Sequence, residues 1–168
     1  DKGIVVISYD SEITEPCTYV AKVDAVDLGR TRAQWLADEL GGKGDIVVIT
    51  GVAGTSFNED VIKGQNEVFA KYPDINILAE VDGEWEHAGA KLRLTEILAT
   101  RTWDDIDGLI VQTGCWAATT MQLDAGIPPE ELRPCSGETS NGHRIQMLPA
   151  GSVEGAVGAI KGCVTTFR

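Results

Sequence analysis

Basic residues are scarce in this sequence. Its 168 residues include 14 Lys and Arg against 26 Asp and Glu, a formal net charge of −12 at pH 7. That balance argues against nucleic acid, whose phosphates are neutralised by clustered cations. It argues equally against an anionic membrane surface. No apolar run approaches the roughly 20 residues of a membrane-spanning helix. Histidine is scarcer still, with only His87 and His143. The four cysteines, Cys17, Cys115, Cys135 and Cys163, contain no C-x-x-C pair. Scattered thiols and two imidazoles do not compose a zinc site, whose ligands come in close pairs. Four free, partly buried thiols are the expected state. Spacing does not fix connectivity, so a disulfide such as Cys17 with Cys135 stays open. Catalytic signatures are missing too. There is no G-x-S-x-G elbow. The glycine turn at 51–54 has no following lysine and is not a phosphate loop. No spacing joins either histidine to Cys115, so a small buried thiol is expected there rather than a nucleophile. Asp104, Asp105 and Asp107 read as a polar loop, because nothing supplies further metal ligands. Glu84 and Glu86 read as solvated. No cofactor or metal is expected.

What the sequence does have is short β-branched runs that end in glycine. Ile46, Val47, Val48 and Ile49 read as a strand buried on both faces. Gly51, Val52, Ala53 and Gly54 follow as a tight turn. Ser56 to Glu59 fits a capping box, with Ser56 at the N-cap and Glu59 at N3. In an open parallel sheet this strand–turn–helix junction lies where ligands bind. Free N–H groups at the helix start favour an anion or a hydroxyl-rich ligand. Any βα junction also needs a turn and a cap, so the unit alone does not establish a site.

The remaining segments extend the pattern. Residues 3–10 read as a first buried strand, closed by a polar turn at Asp10, Ser11 and Glu12. Pro16 keeps residues 11–18 out of regular pairing, and residues 18–23 form a short strand. Asp27 is predicted to cap a helix reaching about Leu40, with Leu28, Trp35, Leu36 and Leu40 on one face. The helix from Ser56 carries a stripe of Phe57, Val61, Gly64 and Val68 and stops before Pro73. A strand at 75–81, a helix at 87–100, a strand at 108–114, a helix at 116–124 and a strand at 132–136 complete the alternation. Gly151, Gly155, Gly158 and Gly162 either line one helix face or make a loop. The alternation implies an α/β fold, a doubly wound parallel sheet of flavodoxin-like type. The length suits one domain.

In such a sheet the strand ends share one rim. It takes in Asp10 and residues 51–58, 82–85, 112–116 and 137–141. Planar amides and carboxylates fork onto neighbouring hydroxyls, and an aromatic face covers the C–H face of a ring. Trp85 and Trp116 beside Gln, Asn, Asp and Ser therefore suit a sugar or polyol better than a phosphate. The ligand-facing residues expected are Asp10, Ser56, Phe57, Trp85, Gln112, Thr113, Glu138 and Asn141. Edge packing is the competing role for Trp85.

Taken in order, four segments resemble a known family. They are the strand at 3–10 leading into Asp10 and Ser11, the Gly51-Val52-Ala53-Gly54-Thr55-Ser56 turn with its helix, the Gly83-Glu84-Trp85 turn, and Val111-Gln112-Thr113-Gly114. Together they are similar to periplasmic sugar-binding proteins of the ribose-binding type, the type I substrate-binding components of ABC transporters. The resemblance implies two α/β lobes around a ligand cleft, of which this chain covers the C-terminal one. Residues 1–10 would be the last strand of the first lobe, 11–16 a hinge-like segment, 17–150 the sugar-binding lobe and 151–168 an unassigned tail. Trp85 takes the place of the cleft aromatic. Thr113 and Gly114 stand where the family has a polar pair touching sugar hydroxyls. Glu138 and Asn141 fall in another contact loop. Val61 stands where the family has a cleft-facing arginine. The likeness further implies a periplasmic location, a membrane permease as partner of the full-length protein, and no enzymatic activity. A chain that starts at Asp1 and lacks the first lobe is expected to be an excised or engineered lobe with weak or no ligand binding. Its open cleft face is expected to drive homo-oligomerisation. Two competing readings make different demands. A flavodoxin-like enzyme or cofactor domain needs a nucleophile–base pair or a phosphate cradle. A sugar-responsive repressor's effector domain needs a basic helix-turn-helix beside it.

Overall fold

Branched apolar residues build the centre of the sheet. Ile46, Val47, Val48 and Ile49 lie within β3 (Lys43–Thr50) and are all buried. The computed structural model describes residues 3–9, 13–137, 140–158 and 160–163. Asp10 and Glu138 lie outside the described residues, as does the side chain of Cys163. The other elements are β1 (Val6–Tyr9), β2 (Thr18–Ala21), α1 (Ala25–Glu39), α2 (Ser56–Phe69), β4 (Asp74–Asp82), α3 (His87–Leu98), β5 (Gly108–Val111), α4 (Cys115–Asp124), β6 (Cys135–Ser136), α5 (Asn141–Gln146) and β7 (Gly162–Cys163).

The main sheet is parallel throughout, in the order β4-β3-β5-β6-β7. Side chains alternate across it. Ile46, Val48 and Ile110 face α1 and α2, against Ala33, Leu36, Ala37, Val68 and Phe69. Val47, Ile49, Leu109 and Val111 face α3 and α4, against Ala90, Leu94 and Ala118. Helices therefore cover both faces, and the α/β doubly wound reading holds. Burying each large aliphatic side chain stabilises the fold by about 1.5–3 kcal/mol. From β3 the chain moves to one side, to β4, and then returns past β3 to β5. That reversal puts the sheet's switch point between the carboxyl ends of β3 and β5, where open α/β sheets leave a crevice.

Several expectations need correction. The first strand is not buried. Among the described residues β1 pairs only with β2, in a separate two-stranded parallel sheet, and Ile4, Val5, Ile7, Tyr9 and Tyr19 are exposed. Asp24, not Asp27, caps α1, its Oδ1 accepting the Asp27 N–H at 2.9 Å. The buried face of α1 is mostly small, with Ala25, Gly29, Ala33 and Ala37 beside Leu36 and Arg32, and α2 crosses it closely. The capping box does not form at Ser56. Thr55 is the N-cap of α2, and its hydroxyl donates back to the Val52 carbonyl at 2.8 Å, closing the turn on itself. Cys115 and Cys135 are not free thiols; they form a disulfide. They stand 20 residues apart in sequence, but β5 and β6 are neighbours, which brings the start of α4 to β6 with the two Cα atoms 5.7 Å apart. Cys17 is free and exposed, so it does not pair with Cys135. In the tail, residues 151–158 are turns and β7 adds a strand to the sheet, which favours the loop alternative there. The helix α5 had no counterpart in the sequence reading.

Candidate functional site

The site is assembled at the switch point. β3 ends at Thr50, and Gly51 turns the chain toward α2. Asn58, at the third position of α2, reaches back over that turn, and its Oδ1 accepts the Gly51 N–H at 2.8 Å. The same oxygen accepts Gln112 Nε2–H at 2.7 Å, from the end of β5. Gln112 Oε1 in turn accepts the indole Nε1–H of Trp85 at 2.7 Å. Three strand ends are thus tied by one run of hydrogen bonds. Asn58 and Gln112 are buried, at 3% and 6% exposure. A Cβ on Gly51 would stand 2.0 Å from Trp85 Nε1 and 2.7 Å from Gln112 Oε1, so only glycine lets the indole lie there.

The Trp85 turn is held in an unusual conformation. Glu84 and Trp85 both have φ of 57°, two consecutive non-glycine residues in the left-handed region. Such positions cost on the order of 1–3 kcal/mol each and persist where surrounding contacts over-determine them. Here those contacts are the Gln112 bond, the Gly51 approach and an edge-on stack with Phe57, ring centroids 6.0 Å apart. The Glu86 N–H adds a bond to the Gly83 carbonyl. At β4, Asp82 Oδ1 accepts the Thr50 hydroxyl at 2.6 Å.

The aromatic surface continues across the rim. His87, the first residue of α3, stacks edge-on against Trp116 with centroids 5.4 Å apart. Trp116 is 42% exposed, and Gly142 of α5 packs against its ring. The disulfide sits behind this wall: Cys115 immediately precedes Trp116, and Cys135 begins the strand that leads to the 137–141 loop.

Of the residues expected at the site, Ser56, Phe57, Trp85, Gln112, Thr113 and Asn141 lie on this rim. Ser56 and Phe57 open α2 and are half-buried. Thr113 is half-buried, with its hydroxyl on the Gln112 carbonyl at 3.0 Å. Asn141 starts α5 and is exposed. The amide of Gln112 is engaged at both ends within the protein. Val61 is fully buried, and a Cβ on Gly29 of α1 would collide with its carbonyl, so its place is in the α1–α2 crossing. The α2 side chain that reaches the strand ends is Asn58. Sequence reading put Asn58 on the rim without a role; its seven-residue separation from Gly51 across a strand–turn–helix junction was the signal. The sequence offers His87 only as a base, and nothing local signals its stacking.

Charged side chains flank the rim: Glu84 and Glu86 on the Trp85 turn are exposed, and Arg93 is engaged by its neighbours. Arg93 of α3 donates from Nη1 to Glu96 at 2.9 Å and from Nε to the Asp82 carbonyl at 3.1 Å. Its bond to Glu96, with the Coulomb attraction of that carboxylate, holds its pKa above the ordinary arginine value. The Trp85–Gln112–Asn58 relay itself contains no Lys or Arg; Arg93 flanks it at Asp82, and the buried Arg32 lies beside Gly137. Between these charges the relay offers aromatic carbon surface and neutral amides. Among the described residues no cluster of three or more His, Cys, Asp or Glu is placed to hold a metal ion, and no helix is long and apolar enough to cross a membrane.

Known proteins share this architecture. A xylitol-binding protein of Mycolicibacterium smegmatis is 33% identical over 112 residues, which is 66% of this chain and 32% of that protein. An ABC transporter solute-binding protein of Thermobispora bispora superposes with a TM-score of 0.79 at 23% identity, over 97% of this chain and 48% of its own. A periplasmic solute-binding protein of Actinobacillus succinogenes, solved with D-allose bound, gives a TM-score of 0.71 at 25% identity, over 86% of this chain and 52% of its own. The chain thus spans about a third of the curated relative and about half of these solved structures. Residues 1–159 match the domain family described as periplasmic binding protein domain, and the chain belongs to that family.

Proposed function

We propose that this chain forms one wall of a binding cleft for an uncharged sugar or polyol, in an extracytoplasmic solute-binding component of an ABC transporter. The observation that carries this reading is the chemistry of the switch point. A half-buried indole is fixed by neutral amides, Phe57 stacks edge-on against it, and this group of side chains contains no lysine or arginine. Stacked carbon faces with a few fixed polar groups match the alternating C–H and O–H surfaces of a polyol. The names of relatives agree, since one is a xylitol-binding protein and one was solved with D-allose. In this role the chain performs no chemistry of its own, and its further partner is the permease that receives the solute. Asp10, Glu138, Asn141, Ser56 and Thr113 are the polar contacts proposed for the ligand.

One wall leaves much of a ligand in water, so binding by the 168-residue chain should be weak. The test is a titration with xylitol, D-allose and D-glucuronate, followed by tryptophan fluorescence and by NMR. Saturable changes at Trp85 and Trp116 with the neutral compounds, and none with D-glucuronate, are expected. Preferential saturation by D-glucuronate or by a nucleotide would overturn the reading.

A further inference from the structure

We infer that Asn58 is a positioning residue, which orients Trp85 through the amide of Gln112 and takes that amide out of reach of a ligand. The direction of the hydrogen bonds is forced by chemistry. An indole nitrogen donates and never accepts, and so does a backbone N–H. Gln112 must therefore turn Oε1 to Trp85, which leaves Nε2 facing Asn58. Asn58 must turn Oδ1 to Gly51, and the same oxygen receives Gln112 Nε2–H. Neither amide can flip without setting donor against donor. With donors at both ends, the relay has one self-consistent arrangement, and it lies in a buried setting where such bonds are strengthened.

Two consequences follow. The indole N–H is spent, so the surface Trp85 still exposes is carbon, and it meets a ligand by its ring rather than by a hydrogen bond. Orientation of that ring then depends on Asn58, whose amide does not touch Trp85. That Trp85 is a ligand platform rests on the proposed function; the relay itself is readable in the ligand-free chain.

The relay makes an asymmetric prediction for two isosteric changes. Asn58→Asp keeps an oxygen toward both Gly51 and Gln112, and its carboxylate sits in the first turn of α2, where negative charge is favoured. Gln112→Glu replaces the donor facing Asn58 with a second acceptor and sets oxygen against oxygen. Asn58→Leu removes the acceptor altogether. The measurement is the indole Nε1–H signal of Trp85 in the 15N-labelled 168-residue chain, one of four such signals, assigned with Trp85→Phe. Its chemical shift and its exchange with solvent report the bond directly, while the backbone amide spectrum reports the fold.

In the unaltered chain the signal should be protected from exchange. Asn58→Leu and Gln112→Glu should each shift it and speed its exchange, and Asn58→Asp should restore protection. An unchanged signal in Asn58→Leu would overturn the proposal. So would loss of protection in Asn58→Asp together with retention in Gln112→Glu, and this isosteric pair decides the matter if Asn58→Leu does not fold. Preferential saturation by D-glucuronate would sink the proposed function and leave the relay's own readout intact.

Discussion

At the scale of single residues, the rim is built from close approaches. Gly51 is the tightest, because its missing side chain is the space the indole fills. Gly51→Ala should displace Trp85 and Gln112 together and cost about 1–3 kcal/mol, the usual penalty of overpacking. Urea unfolding would show the cost and the Trp85 indole NMR signal the displacement, and an unchanged midpoint would contradict the geometry. A second residue-scale prediction concerns acid. Asp105 Oδ2 accepts the Thr102 backbone N–H at 2.7 Å and the Thr102 hydroxyl at 3.1 Å. The backbone bond first, and then the hydroxyl, hold its pKa below the ordinary aspartate value of 3.8. A depressed folded-state pKa means that the stabilisation is present above the ordinary value and is lost as pH falls through the lower one. The Thr102 amide resonance should accordingly titrate with a midpoint below 3.8, and Asp105→Ala should abolish that transition. The acidic run at 104–107 shows how far local chemistry was readable. The sequence indicated a polar loop. The structure adds that Asp105 caps its own turn and that Asp107 accepts the Asp45 N–H at 2.8 Å.

At the scale of elements, two contacts fix how neighbouring elements sit against each other. The first is the α1–α2 crossing, where a Cβ on Gly64 would stand 2.0 Å from the Val26 carbonyl. Gly64→Ala should therefore destabilise by about 1–3 kcal/mol, although alanine is the better helix former. The exposed neighbour Lys63→Ala should stay within about 0.5 kcal/mol of the parent. Equal urea midpoints for the two variants would refute the crossing. The second contact is the Cys115–Cys135 disulfide. Closing a loop of about 20 residues in the unfolded chain is worth roughly 3 kcal/mol in the chain-entropy account. Replacing both cysteines by alanine should lower stability by about that amount. Peptide mapping should find Cys17 alkylated without reduction and Cys115 linked to Cys135. The helices and strands themselves were largely predictable, since β-branched runs and helical stripes are local patterns. The pairing of Cys115 with Cys135 was not, because it depends on β5 and β6 lying side by side.

At the scale of the whole molecule, charge and apolar surface oppose each other. A net charge of −12 keeps copies apart. The β1–β2 pair, with Ile7 opposite Tyr19, exposes apolar side chains that favour association. Raising ionic strength shortens the Debye length from about 10 Å at 0.1 M to about 3 Å at 1 M and weakens the repulsion. Light scattering should then show association that increases with salt. Ile7→Glu combined with Tyr19→Glu should suppress it. Suppression by Trp116→Glu instead would place the contact on the aromatic rim, the face expected from sequence.

The order of strands and helices was written in local patterns. Valine and isoleucine runs closed by glycine make buried strands wherever a sheet accepts them, and the intervening amphipathic stripes make its helices. The Gly51 turn, the family likeness and the aromatic rim were readable on the same terms. Which side chains meet was settled by the fold, because those contacts cross the sheet's switch point. Asn58 and Gln112 stand 54 residues apart, and Gln112 and Trp85 stand 27 apart. Only the placing of β5 beside β3, with α2 folded back over Gly51, brings the three together. A local pattern specifies an element through its nearest neighbours in sequence, whereas a hydrogen-bond relay needs partners that only the packed sheet supplies.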